Sequence, residues 1–315
     1  MSPVIETVLF VFGLVALGYL AGATGFLKAE VGDALSQFAV GVALPLLLFR
    51  TMVGADFHGS APWSLWAAYF SAVVVAWTAG HLTTTRIFGR DSRAGVVGGV
   101  ATAFSNLLLL GVPFMQGVFG REGFEILSLI IAVHLPVMMM ASIILFSIFG
   151  PSGGAKDPLE VVRRFASGIA RNPLVIGILI GLAWRMTGLP LPSLAARLVD
   201  ALAGIAGPLA LFAMGLGLRK FGISANVAPA LALSALKLFL MPAVALAAVL
   251  LLGLPPLAAK VVVAAASLPS GVNSYLIATQ FGTGQALASN QMTISTACAV
   301  ATTAFWLTVA QAVLS

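Results

Sequence analysis

Long stretches of this chain pass without a single charge, Leu246 to Leu254 and Ile126 to Val133 among them, and such runs recur from one end to the other. Charged residues make up 8% of the sequence, against about 25% in soluble globular domains. A bilayer-spanning helix uses about 20 apolar residues, so ten of them take roughly 200 positions and leave roughly 100 for loops and helix ends. A chain of 315 residues accommodates that. A transmembrane barrel would alternate polar and apolar residues over segments of about ten, which these runs do not. The sequence therefore reads as an all-α membrane protein.

Chemistry-bearing side chains are too sparse for most enzymes. The one cysteine, Cys298, lies in an apolar run and allows neither an intrachain disulfide nor a thiolate metal cluster. The histidines His58, His81 and His134 are far apart and lack metal-binding spacing, so neither a metal nor a cofactor is expected. No paired intramembrane aspartates appear, and a serine protease would have only His134 at sufficient depth as its base. The net charge of +6 is spread singly between spans, a topology signal rather than a nucleic-acid surface. Met-Ser-Pro-Val-Ile-Glu places no positive residue ahead of the first apolar run, so that run is read as a first span and not a signal peptide.

Charge, Gly and Pro punctuate ten candidate spans, near 5–23, 33–53, 62–85, 93–118, 123–149, 165–187, 194–218, 225–252, 256–281 and 286–313. The longest polar stretch, Gly150 to Arg164, separates five spans from five. Expected units are therefore 1–150, a cytoplasmic linker over 151–164, and 165–315. Lys28, Arg86, Arg90, Arg93, Lys156, Arg163, Arg164, Arg171, Arg219 and Lys220 fall on one side. Arg50, Arg121, Arg185, Arg197 and Lys260 fall on the other. The positive-inside rule makes the richer side cytoplasmic and both termini non-cytoplasmic, in a cell inner membrane.

The two halves share a pattern. An offset of 163 carries Gly18 to Gly181, Gly25 to Gly188, Pro45 to Pro208 and Phe49 to Phe212. An offset of 162 carries Ser105 to Ser267 and Phe119-Gly120 to Phe281-Gly282. With an odd number of spans per half, equivalent helices must run in opposite directions, which defines an inverted-topology repeat of the kind found in transporters.

In such repeats the substrate site is built by Gly/Pro-interrupted spans at corresponding positions. Spans four and nine qualify, with polar islands at Ser105-Asn106 and at Ser267-Leu-Pro-Ser-Gly-Val-Asn-Ser-Tyr275. A proline leaves a carbonyl unpaired, which a polar cavity tolerates and lipid does not. The broken ends expose half-helix N-termini carrying roughly +0.5 charge and free N–H groups, which suit an anion. Small-residue packing is the alternative for either span alone, and the matched pairing favours a site. Pro45 and Pro208 match too, but apolar neighbours mark them as kinks.

Two ionisable residues lie deep. Lys237, mid-span in Leu231 to Pro242, costs about 2.5 to 3.5 kcal/mol at that depth and must face protein or water. It serves either as a fixed positive charge for an anion, standing where another transporter would hold a cation, or as a structural donor to carbonyls freed by the break in span nine. His134, in Ile131 to Pro136, reads as a packing residue with one hydrogen bond or as a proton relay. Met138 to Met140 read as adaptable filling, and Gly95, Gly98 and Gly99 as sites of close helix contact.

Several blocks, taken in order, resemble the auxin efflux carrier family: Gly13 to Phe49, ending in Val-Ala-Leu-Pro-Leu-Leu-Leu-Phe; Arg171-Asn-Pro-Leu-Val-Ile-Gly-Ile-Leu-Ile-Gly181; Gly207-Pro-Leu-Ala-Leu-Phe-Ala-Met-Gly215; and Ser267-Leu-Pro-Ser with Ala278-Thr-Gln-Phe-Gly282. The resemblance implies a scaffold of spans one, two, six and seven, and a transport unit of the other six. It implies that spans four and nine cross at the substrate, as in sodium/proton antiporter and bile acid transporter folds, and it implies organic anion transport and a homodimer. Crossing-point residues carry over to Asn106, Pro269 and Asn273. Plant members have Asn-Pro there, whereas Leu107 follows Asn106 and the next proline is Pro113. Plant members also have a longer central loop, so this chain is similar to the short bacterial form.

The expectation is thus a secondary carrier for a small organic anion working by alternating access. Asn106, Pro269, Ser270, Gly271 and Asn273 with nearby N–H groups form the site, Lys237 supplies the field, and Ser105, Ser267 and Tyr275 stand behind them. The alternatives are a proton- or cation-coupled exchanger, and a membrane sensor that binds the anion without moving it.

Overall fold

A computed structural model describes residues 3–54, 62–149, 163, 167, 170–218 and 227–314. Of the linker expected over 151–164, Arg163 alone is among them, and His58, Lys156, Arg164, Arg219 and Lys220 lie outside. The described residues are mostly helical, with no strand among them. In chain order the helices are α1 (Pro3–Ala23), α2 (Ala29–Phe38), α3 (Leu44–Gly54), α4 (Trp63–Leu82), α5 (Ser92–Ala103), α6 (Val112–Ile148), α7 (Pro173–Met186), α8 (Ser193–Gly204), α9 (Ala206–Leu218), α10 (Val227–Ala235), α11 (Met241–Leu251), α12 (Pro256–Ser267), α13 (Asn273–Gln280) and α14 (Gln285–Val313). Wider π turns at Ala39–Ala43, Leu107–Gly111 and Leu236–Leu240 join consecutive pieces.

Among the described residues, seven helical stretches are long and apolar enough to cross a membrane: Glu6–Ala23, Glu30–Gly54, Trp63–Ile87, Leu107–Ile148, Ser193–Leu218, Val227–Leu251 and Gln285–Val313. Pro173–Met186 and Pro256–Ser267 are shorter apolar helices. At 42 residues, Leu107–Ile148 would run about 63 Å if straight, twice the roughly 30 Å hydrocarbon core. It is divided at Gly120, whose φ of 63° and ψ of −155° are non-helical.

Helix ends follow local chemistry. Asp91 caps α5, its Oδ1 accepting from the Ala94 N–H at 2.8 Å. Asn172 caps α7 in the same way through Leu174, with Pro173 at the first position, where its missing N–H costs nothing. Glycines with positive φ close or break helices in pairs: Gly25 (75°) and Gly188 (66°), Gly89 (63°) and Gly253 (61°), Gly120 (63°) and Gly282 (68°). The offsets of the first and third pairs, 163 and 162, are those read from the sequence, and Gly89 with Gly253 adds a pair at 164.

Two of the most extensive helix pairings are α1 against α9 and α3 against α7. In the first, a Cβ at Gly18 would collide with the Phe212 carbonyl; in the second, a Cβ at Gly181 would collide with the Phe49 carbonyl and Met52. The offset that takes Gly18 to Gly181 also takes Phe49 to Phe212, so the two contacts are one contact with its partners exchanged. Gly215 meets the Val15 carbonyl and Gly177 the Pro45 carbonyl just as closely. Where the backbones touch directly there is no side chain to yield, so Gly18→Leu and Gly181→Leu each cost more than the usual 1–3 kcal/mol of overpacking. Thermal unfolding in detergent is expected to show comparable losses for both variants. A silent Gly181→Leu beside a damaging Gly18→Leu would refute the equivalence.

Candidate functional site

Two helices stop short at one place. Helix α5 ends at Ala103, followed by Phe104 at φ −85°, ψ 89°; α12 ends at Ser267, followed by Leu268, which is extended at φ −63°, ψ 148°. The two unwound stretches run antiparallel, bridged at Ser105 and Ser270. The Asn106 N–H donates to the Pro269 carbonyl at 2.9 Å, and the Gly271 N–H to the Phe104 carbonyl at 3.3 Å. Below the crossing, the Ser270 N–H reaches Ser295 Oγ at 3.3 Å and the Ser270 hydroxyl donates to the Ala101 carbonyl. Unwound backbone at this depth must pair with something, and here each break largely satisfies the other. The N–H groups of Asn106, Ser270 and Gly271 are thus committed within the protein.

Beyond the crossing both chains turn helical again, which fixes two asparagines. Asn106 caps the π turn at Leu107–Gly111, its Oδ1 accepting from the Leu109 N–H at 3.2 Å while its Nδ2 faces Met214 Sδ at 3.2 Å. Asn273 is the first residue of α13 and is half-buried. Both contribute to a small cavity of about 20 Å³, room for a water molecule. One wall is Phe104, Ser105, Asn106, Leu107, Leu108 and Asn273; the other is Ile131, His134 and Leu135. The second trio follows i, i+3, i+4 spacing on one face of α6.

Lys237 stands behind this wall, fully buried. The π turn at Leu236–Leu240 presents it, and also frees the Leu238 carbonyl to accept from Trp306 Nε1 at 2.8 Å. Such bulges recur at functional positions in helices. Lys237 Nζ donates to the Ala266 carbonyl at 2.7 Å and the Ser105 hydroxyl at 2.8 Å, and faces Met241 Sδ at 3.1 Å. Three acceptors meet the three N–H donors of an ammonium. Ala266 lies in the last turn before the break in α12, so one side chain holds both interrupted segments.

Of the residues singled out in the sequence, the structure places Ser105, Asn106, Asn273 and His134 on the pocket. Pro269, Ser270 and Gly271 form the crossing just behind, with Gly271 against the Asn106 side chain. Ser267 is buried and turned to its own helix, its hydroxyl donating to the Ala264 carbonyl at 2.8 Å. Tyr275 is half-buried, one turn along α13. Sequence reasoning missed Tyr69, fully buried and edge-on to His134, and the sulfur atoms of Met214 and Met241. It also missed the apolar lining of Ile131 and Leu135, which their spacing about His134 would have revealed.

Residues 3–307 match the family described as membrane transport protein. The chain belongs to that family. Relatives of similar length share it: an "Uncharacterized transporter" of Methanothermobacter thermautotrophicus is 27% identical over 307 residues, covering 96% of each chain. The "Putative malonate transporter" of Rhizobium meliloti is 29% identical over 322 residues, covering 96% of this chain and 94% of that one. The "Lysosomal cholesterol signaling protein" of Mus musculus is 27% identical over 247 residues, which is 73% of this chain and 28% of that protein. The protein is therefore a helical, multi-pass membrane protein of a transporter family, as its sequence blocks led one to expect.

Proposed function

We propose that the chain is a secondary carrier for a small organic anion, held at the crossing of two broken helices and moved by alternating access. The observation that carries this reading is the meeting of two unwound segments, from opposite halves of the sequence, beside a small pocket lined by Asn106 and Asn273. Half-helix N-termini starting at the crossing favour negative charge. The buried polar groups of the described residues include Lys237 but no Asp or Glu, so the nearby fixed charge is positive and suits an anion better than a cation. The relative named for malonate points to short carboxylates.

The same reading includes a ten-span, five-plus-five inverted repeat. Exchanged glycine contacts and paired positive-φ glycines support it. Spans one, two, six and seven form the scaffold of a homodimer, and both termini face away from the cytoplasm of the plasma membrane. The mouse relative named for cholesterol signalling favours a second reading, a sensor that binds without transport.

Purified protein in liposomes, offered radiolabelled mono- and dicarboxylates with and without pH, sodium and electrical gradients, is expected to show saturable uptake of one acid. Specific binding with no translocation under any gradient would select the sensor, and dependence on a sodium or proton gradient would make the carrier a coupled exchanger.

A further inference from the structure

His134 is 2% exposed, yet neither ring nitrogen has a hydrogen-bond partner. Its ring is held on three sides by aromatic rings, edge-on to Phe104 at 4.8 Å and Tyr69 at 5.5 Å and stacked with Phe70 at 6.4 Å. These contacts fix its orientation without using its polarity. Buried polar atoms are nearly always paired, and the exceptions call for an explanation such as a missing ligand. His134 is one of the residues that line the pocket, where Ile131 and Leu135 flank it and Asn106 and Asn273 belong to the other wall. Between the two polar walls the lining is apolar: Leu107, Leu108 and the flanking pair.

From this arrangement we infer that His134 is a specificity-determining residue that hydrogen-bonds a second polar group of the substrate, so that the preferred cargo is a short acid with polar heads at both ends. The inference rests on the carrier reading above and adds which residue selects within the anions. With the walls parted to admit the acid, one carboxylate sits at the asparagine wall, the short carbon chain lies along the leucines, and the second head meets the imidazole. A monocarboxylate of equal length leaves the imidazole unpaired, and a site built to bond a polar group discriminates strongly against a ligand lacking it.

Malonate and propionate test this, since both have three carbons and differ in the second carboxylate. In full-length protein carrying ring-labelled histidine, the resonances absent from a His134→Gln sample belong to His134. They are expected to shift saturably with malonate and not with propionate. In liposomes His134→Leu is expected to lower malonate uptake by about ten-fold or more, the factor for a hydrogen bond to a charged group, and propionate uptake by much less, with His134→Gln recovering part of the malonate loss. Because leucine removes two unpaired nitrogens from an apolar cage, the variant should melt no lower than the parent. Saturable malonate uptake with unmoved His134 resonances, or an equal loss for both acids, would overturn the role of His134 while leaving the carrier intact. Neither acid bound nor moved by the folded parent would overturn this inference, and uptake of none of the mono- and dicarboxylates offered above would overturn the carrier reading with it.

Discussion

An Asn273→Ala variant is expected to remain folded and to lose about 10- to 100-fold of the uptake rate at subsaturating anion, the 1.5–3 kcal/mol of a hydrogen bond to a charged group. Asn273 begins α13 and lines the pocket from a half-buried position, so truncating it leaves no sealed cavity and removes no helix cap, the cap being Val272. Asn106 differs. Its Oδ1 caps the Leu107–Gly111 turn, so Asn106→Ala should lose uptake and also about 1 kcal/mol of stability. Melting and uptake measured on the same preparations separate the two. Unchanged uptake in Asn273→Ala would remove that residue from the site.

Lys237 gives the second large effect, and two substitutions split its roles. Lys237→Ala empties space at a fully buried position and strands the Ala266 carbonyl and the Ser105 hydroxyl. Cavity formation and lost partners together should cost about 3–5 kcal/mol. Lys237→Met keeps the stem and its packing. The lost hydrogen bonds are offset by no longer burying a polar head, a trade that is often close to neutral, so its melting temperature should lie near the parent's. If the positive head draws the anion to the crossing, Lys237→Met is a stable protein with little uptake. A Met variant that both folds and transports would reduce Lys237 to a structural tie.

Much of this was legible beforehand because it depends on spacing. Uncharged runs announced helices in a bilayer, and Gly18, Gly181, Phe49 and Phe212 announced a repeated pattern whose contacts the structure exchanges between halves. The paired polar islands drew attention to Ser105 and Ser270, which the structure brings side by side, because prolines and serines deep in apolar spans need a reason. Which side chains face the pocket was less legible. Ser270 and Asn273 stand three residues apart in one motif, yet the chain is unwound at the first and helical at the second, so one hydroxyl turns back to Ala101 while the amide lines the cavity. Lys237 reaches Ser105 across 132 positions of sequence, a distance over which no local pattern speaks.

The bridge between Ser105 and Ser270, together with the tie from Lys237 to both segments, stitches the two breaks into a single piece. In the carrier proposed above the two breaks would travel together, and a site carried whole from one face of the membrane to the other would keep its geometry at each end of the trip, so anion affinity measured from either face should agree when no gradient is imposed. Direction would then be set by concentration and voltage outside the protein, and the same molecule would load or unload a cell according to which side is richer in the anion.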